Sequence, residues 1–224
     1  MTTLEIVFIT DVHGASHHLE TLIERTRGAD ALLFGGDLTN VGDAAAVRAV
    51  LAPIRVAYPL VLGVLGNMDR PEADVWLVEQ GLSLHGRSAA LHHWAVFGCG
   101  GANPTPFGTP NELSEAEITQ VLRRGQATLP PGAPSVLVAH APPLGTATDR
   151  VDSGAHVGSR AVRALLEAEG APAVCLSGHI HGSVGTDRVG DAVVCNPGDF
   201  ASGRYARVRI GPGVTDVECV LERL

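Results

Sequence analysis

The sequence predicts an alternating α/β fold. Short apolar runs of strand length recur at 4–10, 31–34, 60–65, 94–98, 135–139 and 173–176, and helix-period segments lie between several of them. Beyond residue 182 the style changes to four strand-like runs separated by short gaps.

Taken in order, the runs at 4–10, 31–34 and 60–65 are nearly continuous in hydrophobicity, as strands covered on both faces are. Helices are expected after them at 17–27, 43–50 and 72–80. The strand at 94–98 leads to a helix at 115–124, which Ser114 and Glu117 open at capping-box spacing. After the strand at 135–139, Ser159 starts a helix at 160–169 whose Val162, Leu165 and Leu166 share one face, and Gly170 with Pro172 stops it. The strand at 173–176 follows. The runs at 183–189, 192–195, 205–210 and 215–221 then read as consecutive antiparallel strands that complete a second sheet, with Val189-Gly190-Asp191 as a tight turn. Two loops rich in Gly and Pro, 99–111 and 141–158, are long enough to carry function.

With 224 residues and no linker or repeat, the chain is expected to form one domain, residues 1–224. Hydrophobic residues make up 45% and aromatics only 4%, a globular profile dominated by small aliphatics. The net charge is −8, and all sixteen basic residues are Arg. Such an acidic surface repels polyanions, so broad nucleic-acid binding is not expected. Cys99, Cys175, Cys195 and Cys219 have no framework spacing and read as free thiols in a reducing compartment. The start Met1-Thr2-Thr3-Leu4-Glu5 lacks the basic segment of a secretory leader, and no apolar stretch approaches ~18 residues. A cytoplasmic protein without a membrane span is expected.

Five of the apolar runs end in residues able to bind metal: Asp11-Val12-His13, Gly36-Asp37, Gly66-Asn67, Ala139-His140 and Gly178-His179-Ile180-His181. Carboxylate, amide and imidazole donors suit divalent cations, and no Cys-x-x-Cys pair offers a thiolate site. In open α/β sheets, strand ends are where ligand sites collect. Gly14, Gly36, Gly66, Gly100, Gly178 and Gly182 would let the backbone turn and approach ions closely. The pattern points to a two-metal site and hydrolytic chemistry.

In order and spacing, these segments resemble the calcineurin-like metallophosphoesterases, whose motifs run D-x-H, G-D, G-N-H-[DE], a lone His and G-H-x-H; the resemblance spans residues 11 to 181. It implies a four-layer α/β/β/α sandwich of two mixed β-sheets flanked by helices. It also implies two divalent ions, manganese first and iron, zinc, nickel or cobalt as alternatives. One ion would be held by Asp11, His13 and His181, the other by Asn67, His140 and His179, with Asp37 bridging both. A bridging water, deprotonated near neutral pH, would attack phosphorus in line.

The third motif departs from the family pattern, reading Gly66-Asn67-Met68-Asp69. Methionine cannot donate a proton, which puts the general acid in doubt and favours esters with acidic leaving groups. Asp69, His156 and His13 are candidate donors; Asp69 equally reads as the cap of the helix that follows, and His156 as a solvated loop residue. Asn103 and Phe107 are candidate specificity contacts in the 99–111 loop. Arg70, Arg150 and Arg160 are the cations nearest the site loops, and His17, His18, His85, His92 and His93 fall outside the ligand pattern.

The expected activity is therefore hydrolysis of small organic or nucleotide-like phosphates, a phosphodiesterase ahead of a phosphomonoesterase. A nuclease with the same site is a second reading, opposed by the acidic balance. A non-catalytic interaction module on the same fold is a third. Oligomeric state is open, a homodimer being one option.

Overall fold

Side-chain alternation along the first strand sorts the apolar residues of this chain into separate layers. In the computed structural model, which describes residues 3–224, Val7 and Ile9 face one buried cluster while Ile6 and Phe8 face another. Met1 and Thr2, on which the leader expectation partly rests, lie outside the described residues. In chain order the elements are β1 (Leu4–Ile9), α1 (Leu19–Arg25), β2 (Ala31–Phe34), α2 (Ala44–Ala57), β3 (Val61–Gly63), α3 (Ala73–Glu79), β4 (Ser88–Leu91), β5 (Trp94–Cys99), α4 (Glu115–Gln126), β6 (Ser135–Ala139), α5 (Arg160–Leu166), β7 (Val174–Leu176), β8 (Gly185–Val189), β9 (Ala192–Asn196), β10 (Arg204–Ile210) and β11 (Val217–Arg223).

The strands form two mixed sheets, ordered β11-β10-β1-β2-β3 and β4-β5-β6-β7-β9-β8. One cluster joins Leu22, Val47, Leu51, Ile54 and Leu77 of α1–α3 to Val7, Ile9, Leu32 and Phe34 of the first sheet. A second lies between the sheets, where Ile6, Phe8, Leu33 and Val208 meet Trp94, Val96, Val136, Val138 and Leu176. The third packs Ile118, Leu122, Val162 and Leu166 of α4 and α5 on Phe97, Leu137, Cys175 and Val194. Three buried seams between four layers give the α/β/β/α sandwich.

Three differences from the sequence reading have physical causes. The helix expected at 43–50 continues through Pro53 to Ala57, because Leu51 and Ile54 are buried on either side of the proline and hold the turn against its ~3 kcal/mol penalty. The edge strand β4 has too little apolar character to read as a strand, since only Leu91 of its four residues is buried. The four C-terminal strands do not all complete the second sheet. The β8–β9 hairpin does so through parallel pairing of β9 with β7, whereas β10 and β11 join the first sheet beside β1. The two-residue turn at Gly190-Asp191 and the Ser114–Glu117 capping box are as expected.

The parallel strands set up the site. β1, β2 and β3 run parallel, as do β5, β6, β7 and β9. Asp11, Asp37, Asn67, His140 and the His179–His181 segment all follow the carboxyl ends of such strands, so three loops of the first sheet and two of the second meet at one end of the sandwich. Among the described residues, no helix is long and apolar enough to cross a membrane. The four cysteines are free thiols, and burial pushes those of Cys99 and Cys175 up to about 12.

Candidate metal centre

Asp11, His13 and His181 bring donor atoms within 4.8 Å of one another, and so do Asp11, Asp37 and His140. The Asp11 carboxylate is buried and divided in its duties. Its Oδ2 accepts from the Thr10 hydroxyl at 2.7 Å and the His179 N–H at 3.0 Å, while Oδ1 lies 3.1 Å from His181 Nε2. Asp37 is divided likewise: Oδ1 accepts the Met68 N–H at 2.7 Å, and Oδ2 faces His140 Nε2 at 3.5 Å and His13 Nε2 at 3.8 Å. One oxygen of each carboxylate is tied to the backbone and the other is turned to the histidines.

Backbone and side-chain partners outside the cluster orient the imidazoles. His140 Nδ1 lies 2.8 Å from the Gly35 carbonyl and His13 Nδ1 lies 2.8 Å from Asn40 Oδ1. Each partner is an acceptor, so Nδ1 carries a proton and Nε2 is the nitrogen turned inward. There His140 Nε2 faces the Asn67 Oδ1 acceptor at 2.8 Å, and His13 Nε2 faces His181 Nε2 at 3.2 Å, which itself lies 3.1 Å from the Asp11 Oδ1 acceptor. Acceptor facing acceptor is unfavourable unless a proton or a cation stands between them. The 3.2 Å nitrogen separation is what two imidazoles at ~2.0–2.1 Å from one ion adopt. The residues therefore fit divalent cations.

Charge balance agrees with that chemistry. Burial works against protonation of His140, but the Asp37 and Asp11 carboxylates prevail and hold it at about 9. Burial also opposes ionisation of Asp11, yet His181 and His140 keep it well below the usual carboxylate range. His179, its ring centroid 5.1 Å from that of His140, is pushed down to about 4 by burial and by that neighbour, which leaves it a neutral imidazole. Of the four expected histidine ligands, His179 is the one outside the two tight donor groups.

The backbone at these positions is unusual. Asp11, His13, Asp37 and His179 have φ of 55°, 50°, 48° and 67°, the left-handed region that non-glycine residues avoid at roughly 1–3 kcal/mol each. Asp and His tolerate this region better than most non-glycine residues, yet nothing in the sequence distinguishes these positions from the other Asp and His residues of the chain. Val41 shares the conformation at φ 58°, a stronger outlier for a β-branched residue, with its N–H on the Met68 carbonyl and its own carbonyl on Arg70 Nε. Since its side chain is 40% exposed, Val41→Gly should raise stability by about 0.5–1 kcal/mol through relief of strain. The urea midpoint should move up at unchanged m, and a lowered midpoint would contradict the account.

The other sequence candidates separate clearly. Asp69 is fully buried and accepts from Leu38 N–H, Thr39 N–H, the Thr39 hydroxyl and Gly66 N–H at 2.8–3.1 Å. It braces the Asp37 and Asn67 loops against each other. It does not cap α3, which begins after Glu72 without a side-chain cap, and both its oxygens take N–H or O–H donors even as burial pushes its carboxyl up. His156, 34% exposed, places Nδ1 2.6 Å from Asp149 Oδ1. Asp149, which the sequence did not single out, is itself held by the N–H groups of Gly145, Thr146 and Gly158. Asn103 donates to the Val157 carbonyl, and its Oδ1 is, among the described residues, the one buried side-chain polar atom without a partner. Phe107 stands 85% exposed on the loop that Asn111 fastens to Gly66 and Asn67. Arg70 anchors Val41, and His85 accepts the Gly100 N–H as a structural residue.

A model of the calcineurin-like phosphoesterase family matches residues 4–183. The uncharacterized protein MJ1162 of Methanocaldococcus jannaschii is 36% identical over 198 residues, covering 87% of this chain and 88% of that protein. Among solved structures, TT1561 of Thermus thermophilus aligns with a TM-score of 0.71 at 20% identity, over 98% of this chain and 99% of that one. A dimetal phosphatase from Danio rerio aligns with a TM-score of 0.64 at 13% identity, over 97% and 98%. At such identities the structural likenesses speak for the fold alone.

Proposed function

The chain belongs to the calcineurin-like phosphoesterase family, and from that premise we propose that it is a two-metal phosphohydrolase acting as a phosphodiesterase on small organic or nucleotide-like phosphates. The observation that carries the proposal is the inward convergence of ligand atoms from Asp11, Asp37, Asn67, His13, His140 and His181 at the carboxyl ends of strands from both sheets. Asp11, His13 and His181 would hold one ion and Asn67, His140 and His179 the other, with Asp37 Oδ2 between them. Bound divalent cations, manganese first and iron, zinc, nickel or cobalt in its place, would supply an acidified water as nucleophile and neutralise charge on the phosphoryl oxygens. The 224 residues would work as a single domain in the cytoplasm.

The chain's own residues bear on the leaving group. Met68 serves through its backbone N–H, which aims Asp37, so its side chain is free to differ from the family histidine. A thioether cannot protonate a departing alkoxide. His156 is the remaining candidate donor: Asp149 holds Nδ1, and its loop is stapled beside the His181 segment through the Ser183 hydroxyl on the Arg150 carbonyl. General acid catalysis is worth roughly 10²–10⁴-fold, so a site without a donor next to Asn67 should favour acidic leaving groups by at least tenfold. With manganese supplied, kcat/KM on bis(p-nitrophenyl) phosphate should exceed that on glycerol phosphate by that margin. A faster reaction on glycerol phosphate would overturn the diesterase reading.

A further inference from the structure

From the hydrogen bonds behind Asn67, we infer that Glu112 and Thr109 are positioning residues that fix which end of the Asn67 amide faces the metal centre. This rests on the proposed ligand role of Asn67 and adds to it. An asparagine amide has two ends of similar size, one acceptor and one donor pair, and only the oxygen can bind a cation. Something must select the orientation.

The selection follows from a chain of obligatory donors and acceptors. Glu112 Oε1 accepts from the Thr109 N–H at 2.8 Å, the Thr109 hydroxyl at 2.7 Å and the Thr105 hydroxyl at 2.7 Å. The Thr105 hydroxyl and the Thr109 groups outweigh burial and hold the Glu112 carboxyl down at about 2, so it is acceptor-only at any working pH. The sign is that of a depressed carboxylate: its contribution is present above the ordinary glutamate pKa and fades as pH falls through about 2. The Thr109 hydroxyl must then spend its single proton on Glu112, which leaves only lone pairs for Asn67. Asn67 Nδ2 takes that place at 3.1 Å, and Oδ1 is turned 2.8 Å from His140 Nε2. The relay spans 45 positions of sequence, from Asn67 to the end of the loop rich in Gly and Pro. Partners of this kind behind metal ligands typically matter by 10–100-fold in affinity.

The test is titration of the chelator-stripped, full-length chain with Mn²⁺ by calorimetry, folding being checked by circular dichroism. Thr109→Val should weaken one of two Mn²⁺ equivalents by about 10–100-fold and leave the other unchanged. Thr109→Ser should retain the original affinity, and Thr109→Ala serves if valine disturbs the loop. In an Asn67→Asp background, where the side chain has no donor end to misplace, Thr109→Val should have little effect; a merely structural role would instead give the same loss in both backgrounds. If Asn67→Ala weakens one equivalent while Thr109→Val and Thr109→Ala do not, the positioning role is overturned and the ligand role stands. If Asn67→Ala itself leaves both equivalents at full affinity, the ligand role falls and the positioning role with it.

Discussion

Asp37→Ala should strip the chain of both proposed metal ions and lower kcat/KM by more than about 10³-fold, beyond the 10²–10³ lost with a single transition-state donor, because in the proposed centre one carboxylate serves both halves. The geometry gives the reason. Oδ2 stands between His140 and His13, while Oδ1 holds the Met68 N–H and so keeps the Asn67 loop in place. Truncation removes the shared charge and leaves that N–H without its acceptor, at about 1–3 kcal/mol if it stays dry. Asp37→Asn separates the two losses, since its amide oxygen can still accept from Met68 while the charge is gone. Elemental analysis and turnover of bis(p-nitrophenyl) phosphate read the outcome. A metal-replete, fully active Asp37→Ala protein would end the two-metal account.

Gly66→Ala should be nearly as damaging although it touches no ligand atom of its own. A methyl group at Gly66 would lie 2.1 Å from Asp37 Oδ1 and 2.3 Å from the Asp37 backbone nitrogen, so no side-chain rotation relieves it. The Asp37 and Asn67 loops must part, and displacement of catalytic groups by about 1 Å costs on the order of 10²-fold in rate. Overpacking of this kind also destabilises by roughly 1–3 kcal/mol. Gly182→Ala is the paired control. It directly follows the proposed ligand His181, yet its methyl would meet nothing nearer than Asp152 Oδ1 at 3.6 Å. Activity and urea midpoint should therefore fall sharply for the first variant and hardly move for the second. Equal effects would show that the close approach at Gly66 is not what shapes the site.

This contrast illustrates how far the motifs are readable on their own. Both glycines look alike in the chain, beside donors and after apolar runs, and the expectation that such glycines permit close approach holds for Gly36, Gly66, Gly100 and Gly178 but not for Gly14 or Gly182. Asp69 is a similar case. Its place before Arg70-Pro71 suggested a helix cap, but its partners are Leu38, Thr39 and Gly66, two of them about 30 positions away in sequence. Long-range hydrogen bonding has no local signature.

Neighbouring residues suffice to set the alternating α/β plan, the donor types at five strand ends and the lack of a Cys-x-x-Cys pair, because strand length, hydrophobic period and ligand chemistry are all local properties. Tertiary structure alone decided that β10 and β11 lie beside β1, that four of the site residues adopt left-handed backbone, and that Thr109 and Glu112 stand behind Asn67. Pairing partners, strained φ and relayed hydrogen bonds arise between segments far apart in the chain, where the free energy of packing and polar satisfaction overrides what any single segment prefers.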